Sequence, residues 1–317
     1  MCTALIHNNL FGRTLDLEHS YDEQVVVVPR RFPLPFRMQK TMSVHHAIIG
    51  MAHMAQGQPL FYDGVNEHGL AVAALNFPHS AVYQPPREGA VNLVSFELMS
   101  WVLAQCSTVS QARQLLEQVN VTGMDFSPNL PSTPLHWLIA DRTQSLVAEP
   151  LADGLHLYEN PTGVLTNEPP FPVQLTQLNN YLHLSSYPAQ NRFAPALPLH
   201  GYSRGMGALG LPGDWSSQSR FVRAAFAAHN TSTSSNVTRF FRLMACVEVP
   251  GGCVRLEDGA EVVSVYTSCC DLNRGLYHYV TCTNRQISAI DLHGQDLDGD
   301  TLSRYPLITE PQIRLQS

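Results

Sequence analysis

Charge is scarce in this 317-residue chain: 14% of residues are Asp, Glu, Lys or Arg, and the 19 basic side chains are scattered without runs against 26 acidic ones. With a formal net charge of −7 there is no basic stripe to follow a phosphate backbone, which argues against a nucleic-acid partner. Long apolar runs are missing too, since Val25 to Val28 and Ala47 to Gly50 fall far short of the ~18 residues that a membrane span needs. The opening residues lack a charged stretch followed by an apolar one, so no secretory leader is expected. The seven cysteines form an odd set without the spacing of a disulfide framework or a zinc knuckle, which points to reduced thiols and a cytoplasmic location. The fourteen histidines make no HxxxH pair, and no metal site is expected. Internal repeats, low-complexity tracts and linkers are absent as well, so residues 1–317 are read as one domain.

Two tempting motifs fail on their context. Gly205, Gly207 and Gly210 satisfy a GxGxxG pattern, but no strand precedes them and Leu211-Pro212-Gly213 follows where a helix should continue. Asp296-Leu297-Asp298-Gly299-Asp300 opens like a calcium loop, yet Thr301 and Leu307 stand where Gly and Glu are required.

What the chain does have is concentrated in its first sixteen residues. Asn8-Asn9 suits a two-residue hairpin turn, because Asn tolerates the left-handed backbone that such turns need. The register then follows by counting: His7 faces Leu10, Ile6 faces Phe11, Ala4 faces Arg13 and Cys2 faces Leu15. Opposed side chains share a face, so Cys2 and Arg13 are diagonal neighbours, while Asp16 lies on the other parity across from position 1. Removal of Met1 would leave Cys2 with a free α-amine. Amine and thiol titrate near ~7.7–8.0 and ~8.5, so one residue supplies both nucleophile and base, and a cation such as Arg13 raises the thiolate fraction.

Further along, apolar and β-branched segments predict strands at Gln24–Pro29, His46–Met51, Gly69–Leu75, Leu135–Ile139, Ser145–Ala148, Leu155–Tyr158, Val164–Thr166, Val262–Thr267, Leu276–Cys282 and Ile287–Ile290. Helical spacing is expected from an Asn92 cap through Leu103, from a Thr108/Gln111 capping box through Val119, and again around Phe221–Ala228 and Val237–Val247. Between them, residues 184–219 form a Pro/Gly-rich segment with little periodicity, the kind of long loop that is usually functional or interfacial. Strand runs interspersed with helix pairs indicate an α+β layered fold.

The stretches MCTAL, LFGRTLDLE, FYDGVNEHGLAVAALNFPH, GVLTNEPPF, GALGLPGDWSSQSRFVRAAF and VYTSCCDLNRGLYHY, in this order from residue 1 to about residue 280, resemble the choloylglycine hydrolase family of N-terminal-nucleophile hydrolases. Its bile salt hydrolase branch is most similar. The resemblance implies a four-layer αββα sandwich, no cofactor, a homotetramer assembled through the long loop, and cleavage of the amide of conjugated bile salts. It implies catalytic roles for Cys2, Arg13, Asp16, Asn76, Asn167 and Arg220, with the two asparagines at the oxyanion. Glu168 departs from the usual pattern, and its carboxylate would oppose an oxyanion unless it turns away.

Leu60 and Phe61 in one connection and Met124, Phe126 and Leu130 in another are candidate walls of the acyl pocket, being apolar residues in Gly/Pro-flanked segments. Alternative readings are a penicillin V acylase sharing the same machinery and a catalytically silent binder of amphipathic acids.

Overall fold

The structure is a computed structural model and describes residues 1–232 and 236–316. The chain opens with the expected hairpin, β1 (Cys2–His7) and β2 (Leu10–Leu17), in the register the Asn8-Asn9 turn dictates, with Cys2 opposite Leu15 and Ala4 opposite Arg13. Asn8 alone of the two asparagines takes the left-handed backbone, at φ 55°. Strands β3 (Gln24–Val28), β4 (Ile48–Ala55), β5 (Gln58–Asn66), β6 (Ala71–Asn76) and β7 (Val91–Val94) lead to helices α1 (Leu98–Gln105) and α2 (Val109–Leu116). After β8 (Val119–Thr122) come β9 (Leu135–Ala140), β10 (Ser145–Leu151), β11 (Gly154–Glu159) and β12 (Val164–Leu165). Helices α3 (Phe171–Gln177), α4 (Ser217–Asn230) and α5 (Val237–Met244) precede β13 (Val263–Asp271), β14 (Leu276–Thr281), β15 (Ser288–Asp291) and β16 (Ser303–Pro306).

Apart from β7 and β8, which pair in parallel with each other, these strands form two antiparallel sheets, of order β12-β1-β2-β13-β14-β15 and β11-β10-β9-β6-β5-β4-β3-β16. The period-2 alternation of each strand decides which layer a side chain joins. Val25, Val27, Ile49, Val65 and Ala73 pack between the sheets with Phe11, Leu15 and Tyr266. Val26, Val28, Ile48 and Val72 point the other way, onto Leu98, Val102 and Leu103 of α1 and Ala112 and Leu116 of α2. A strand covered on both faces needs an unbroken apolar run, which is why four valines stand in a row in β3. Helices α4 and α5 cover β1, β2 and β13 through Phe221, Ala224, Phe240 and Phe241. The result is the αββα layering that the resemblance implied.

Several local readings are corrected. Asn92 caps no helix: it sits in β7, which pairs in parallel with β8, and its side chain holds the main chain of Arg87 instead. The β-branched Val91, Val94, Val119 and Val121 favour that ladder over a helix, and α1 begins only at Leu98. Thr108 does cap α2, accepting from the Gln111 amide at 3.2 Å, but the helix ends at Leu116 and Val119 starts a strand. Strand β5 and helix α3 were not foreseen. Residues 184–216 carry one short 3₁₀ turn, Met206–Ala208, and no other helix or strand after Leu184 until α4.

Two β-bulges break the alternation. One leaves Val265 unpaired between the Ser264–Asp16 and Tyr266–Leu15 pairs, and the other leaves Tyr62 unpaired between the Met51–Asp63 and Ala52–Phe61 pairs. An extra residue flips the parity of the strand beyond it. In consequence β13 sends Ser264 to one face and Tyr266 and Ser268 to the other, and β5 turns Asp63 in between the sheets.

Gly12 sets the spacing of β2 and β13, since a Cβ there would lie 2.0 Å from the Ser268 carbonyl oxygen and 2.9 Å from the Phe240 ring. Gly12→Ala is expected to destabilise the fold by about 3 kcal/mol, the cost of overpacking against backbone that cannot yield. Urea denaturation checks this, and a wild-type midpoint would show that the two strands are not held so closely.

Candidate active site

Cys2 starts β1 and is buried, at 3% exposure. Its amide nitrogen donates to Asn167 Oδ1 at 2.9 Å, and the same oxygen accepts from Arg220 Nη2 at 2.7 Å. Arg220, in the first turn of α4, also donates through Nη1 to the Cys2 carbonyl and to Thr3 Oγ1, and through Nε to the Trp215 carbonyl. Asn167 Nδ2 donates to the Asn76 carbonyl at 2.7 Å. One amide side chain thus ties together the start of β1, the end of β6 and the start of α4. Asn167 is itself fixed, its N–H donating to Ser217 Oγ and its carbonyl accepting from Gln174 Nε2, both at 2.8 Å.

Arg13 approaches from β2 and is fully buried. Nη1 donates to the Tyr62 and Ala74 carbonyls and Nε to the Thr14 carbonyl, while Nη2 has no hydrogen-bond partner among the described residues. Burial works against its charge, but Cys2, Tyr266, Asp63 and Asp16 outweigh it and hold the guanidinium pKa above its ordinary value. Arg220 goes the other way: burial lowers its pKa, with Asp16 and Cys2 opposing.

Asp16 lies beside Met1, as the register requires, and the two exchange main-chain hydrogen bonds. Its carboxylate is held by Ser264 Oγ at 2.6 Å and Thr14 Oγ1 at 3.2 Å. Beneath Arg13 lies a group the sequence reading missed: Asp63, fully buried, accepts from Tyr266 Oη at 2.5 Å and from Ser268 Oγ and Tyr277 Oη at 2.8 Å. Ser268 Oγ in turn accepts from the Arg13 amide at 3.1 Å. Burial pushes the Asp63 carboxyl pKa up, and Arg13 with the three hydroxyls pulls it back. A carboxylate inside the apolar run around FYDGV was the available signal, because such a charge is buried only with partners.

Glu168 turns outward, accepting from the amides of His79 and Ser80 and from Ser80 Oγ. Its charge is spent on the loop after β6. His136 is a satisfied core residue, placed between Glu149 and the Thr166 carbonyl and stacked on Phe77.

Cys2, Arg13 and Asn76 open onto a cavity of about 420 Å³ whose other lining includes Leu60, Phe61, Phe126 and Leu130. Leu60 and Phe61 reach it from β5 and not from a loop, because the strand continues through them. Met124 does not line it and is 38% exposed. The Asn76 side chain faces the cavity with no hydrogen-bond partner among the described residues. Two larger clefts, of about 880 and 640 Å³, are lined by more polar loops and lack Cys2.

The model of the linear amide C–N hydrolases, choloylglycine hydrolase family, matches residues 2–305. A bile salt hydrolase/transferase of Lactiplantibacillus plantarum is 44% identical over 98% of both chains, and one of Clostridium perfringens is 34% identical over 96% of both. The crystal structure of a mutant conjugated bile acid hydrolase from Clostridium perfringens superposes with a TM-score of 0.94 at 33% identity, covering all of each chain. A penicillin V acylase from Agrobacterium tumefaciens shares the fold, with a TM-score of 0.74 at 20% identity over 96% of this chain and 90% of its own. On the matched length and these relatives, this chain belongs to the choloylglycine hydrolase family of linear amide C–N hydrolases.

Proposed function

We propose that the protein is a bile salt hydrolase, splitting the amide between a bile acid and its glycine or taurine. The observation that carries this reading is a buried cysteine at position 2 facing an apolar cavity beside a permanent cation and an unengaged amide donor. Relatives named for bile salts support the substrate class.

In the mechanism, loss of Met1 converts the Cys2 amide into an α-amine at the position now 2.9 Å from Asn167 Oδ1. Cys2 Sγ attacks the substrate carbonyl carbon, its proton passing to the α-amine. The tetrahedral oxyanion accepts from the Asn76 side-chain amide, a donor worth on the order of 3–4 kcal/mol in comparable sites. Collapse breaks the C–N bond, the amine proton goes to the leaving nitrogen, and a thioester remains. Water adds to that thioester, giving up a proton to the α-amine; collapse then breaks the C–S bond and releases the bile acid, and the ammonium returns its proton to the sulfur as the thiol. Arg13 favours the thiolate, and Asp16 with its hydroxyl partners offsets the two buried arginines. Asn167 holds the α-amine through Oδ1 and the Asn76 main chain through one N–H of Nδ2, and the second N–H of that amide is left to join Asn76 at the oxyanion. No step uses a cofactor.

We also place the protein in the cytoplasm, where its seven unpaired cysteines remain reduced; no helix among the described residues is long and apolar enough to cross a membrane. Its assembly is proposed as a homotetramer through residues 184–219, which leave Tyr187, Phe193 and Tyr202 at least 78% exposed.

The purified protein is expected to weigh one methionine less than its sequence, and Cys2→Ser to fold but lose most turnover, because a hydroxyl is the weaker nucleophile. Mass spectrometry and steady-state kinetics decide; full turnover with Met1 retained rules out the α-amine route. A steroid body buries on the order of a few hundred Å² of apolar surface at ~25 cal/mol per Å², far more than a phenoxyacetyl group. Accordingly kcat/KM for glycocholate or taurocholate should exceed that for penicillin V by roughly tenfold, ~1.4 kcal/mol. Preference for penicillin V favours the acylase reading, and hydrolysis of neither favours the silent binder. Deleting residues 190–199 should lower the mass seen by light scattering before it alters kcat; a monomeric wild type removes the tetramer.

A further inference from the structure

We propose that His46 and His68, which the chemistry of Cys2 does not use, form a binding site for a divalent transition metal of the imidazole-preferring class, Zn²⁺, Ni²⁺ or Cu²⁺, at one end of the β4–β5 ladder. Ile48 pairs with Asn66, and the Glu67 amide donates to the Ala47 carbonyl at 3.0 Å, so residues 46 and 68 are the next cross-strand pair. His46 Nδ1 lies 3.1 Å from His68 Nε2, with the rings edge-on at 79°. Two imidazole nitrogens bound to one ion at ~2.0–2.1 Å are separated by about 2.9 Å for a right-angle bite and about 3.4 Å for a tetrahedral one. The two donors already stand within that span.

The main chain at both histidines is fixed from one place. The His46 amide donates to the Ala104 carbonyl of α1 at 3.0 Å. The His68 amide donates to Asn66 Oδ1 at 3.1 Å, and Asn66 Nδ2 donates to the Leu103 and Cys106 carbonyls at the end of the same helix. The main chain beneath both ligands is therefore ordered before any ion binds.

Glu67 completes the surroundings without being a ligand. Its carboxylate, within 4.8 Å of both nitrogens, is already engaged by Arg30 and by the Ala47 amide. It offsets part of the cation's charge and accepts from a metal-bound water, the outer-shell role that carboxylates fill in many such sites. Borderline divalent ions that favour imidazole fit this donor set, and hard ions that need several oxygens do not.

The test is a calorimetric Zn²⁺ titration of the full chain in a Cys2→Ala background, which removes the competing soft thiol at the proposed catalytic site. One saturable site is expected, with affinity at least tenfold lower in His46→Ala and in His68→Ala. Thermal melts at saturating Zn²⁺ should rise by several degrees in the background protein only, as binding to the folded state requires. Equal binding in the histidine variants would assign the metal to the exposed Cys253 or Cys282 and overturn the proposal, as would the absence of a saturable site. Bile salt hydrolysis enters none of these readouts, so this result and that of the substrate comparison stand separately.

Discussion

Two guanidinium groups, those of Arg13 and Arg220, are buried to 0% exposure inside the sandwich, and much of the site is arranged to make that possible. An unpaired buried cation costs several kcal/mol even after relaxation, so each arginine must be met by acceptors and by opposite charge. Arg13 is met by the carbonyls of Tyr62, Ala74 and Thr14, and Arg220 by those of Trp215 and Cys2 together with Thr3 Oγ1 and Asn167 Oδ1. Asp63 and Asp16 supply the negative charge. The acceptors come from β1, β2, β5, β6 and the segments flanking α3 and α4. Satisfying the two cations therefore fixes how the two sheets and the α4 layer sit around Cys2.

The labour is divided between the sheets. The six-stranded sheet supplies Cys2, Arg13 and Asp16, while the eight-stranded sheet supplies Leu60, Phe61 and Asn76 to the cavity wall. Glu168 and Asn167 stitch the two at the mouth, one onto the Ser80 loop and the other onto the Asn76 carbonyl. On the proposed function, the cavity wall can change by substitution on the eight-stranded sheet while Cys2 stays fixed by the other.

The hairpin register was legible in the sequence because it needs only a turn and counting, and it placed Cys2 beside Arg13 and Asp16 across from Met1. The apolar strand runs and helix pairs likewise indicated an α+β layered fold, while the two central sheets followed only from the family resemblance. What could not be read is what period-2 counting assumes away. The bulges at Tyr62 and Val265 reverse side-chain parity, so Asp63, Tyr266 and Ser268 were invisible as a group even though each stands in an apolar stretch. Asn92 misled because an Asn before an apolar run is also what a short ladder looks like, and the parallel partner β8 lies 28 residues away from it. Leu60 and Phe61 were found as pocket walls but assigned to a loop, since Gln58-Pro59 reads as a break when it begins a strand. His46 and His68, the ligands of the proposed metal site, are 22 residues apart and are brought together only by the β4–β5 pairing.

The contacts around Cys2 are among the longest in sequence that the fold contains: the partners of residues 2 and 16 lie 165, 218 and 248 positions downstream, at Asn167, Arg220 and Ser264. At ~5–20 residues per second of synthesis, roughly 13–50 s pass between emergence of the first strand and arrival of the last of those partners. For that interval the N-terminus has its own hairpin partner β2 but none of the downstream side chains that bury it. On the proposed maturation, trimming of Met1 belongs to this window, before the later strands and α4 close over the nascent nucleophile. The order of synthesis, and not any feature of the finished surface, is then what gives the processing enzyme access.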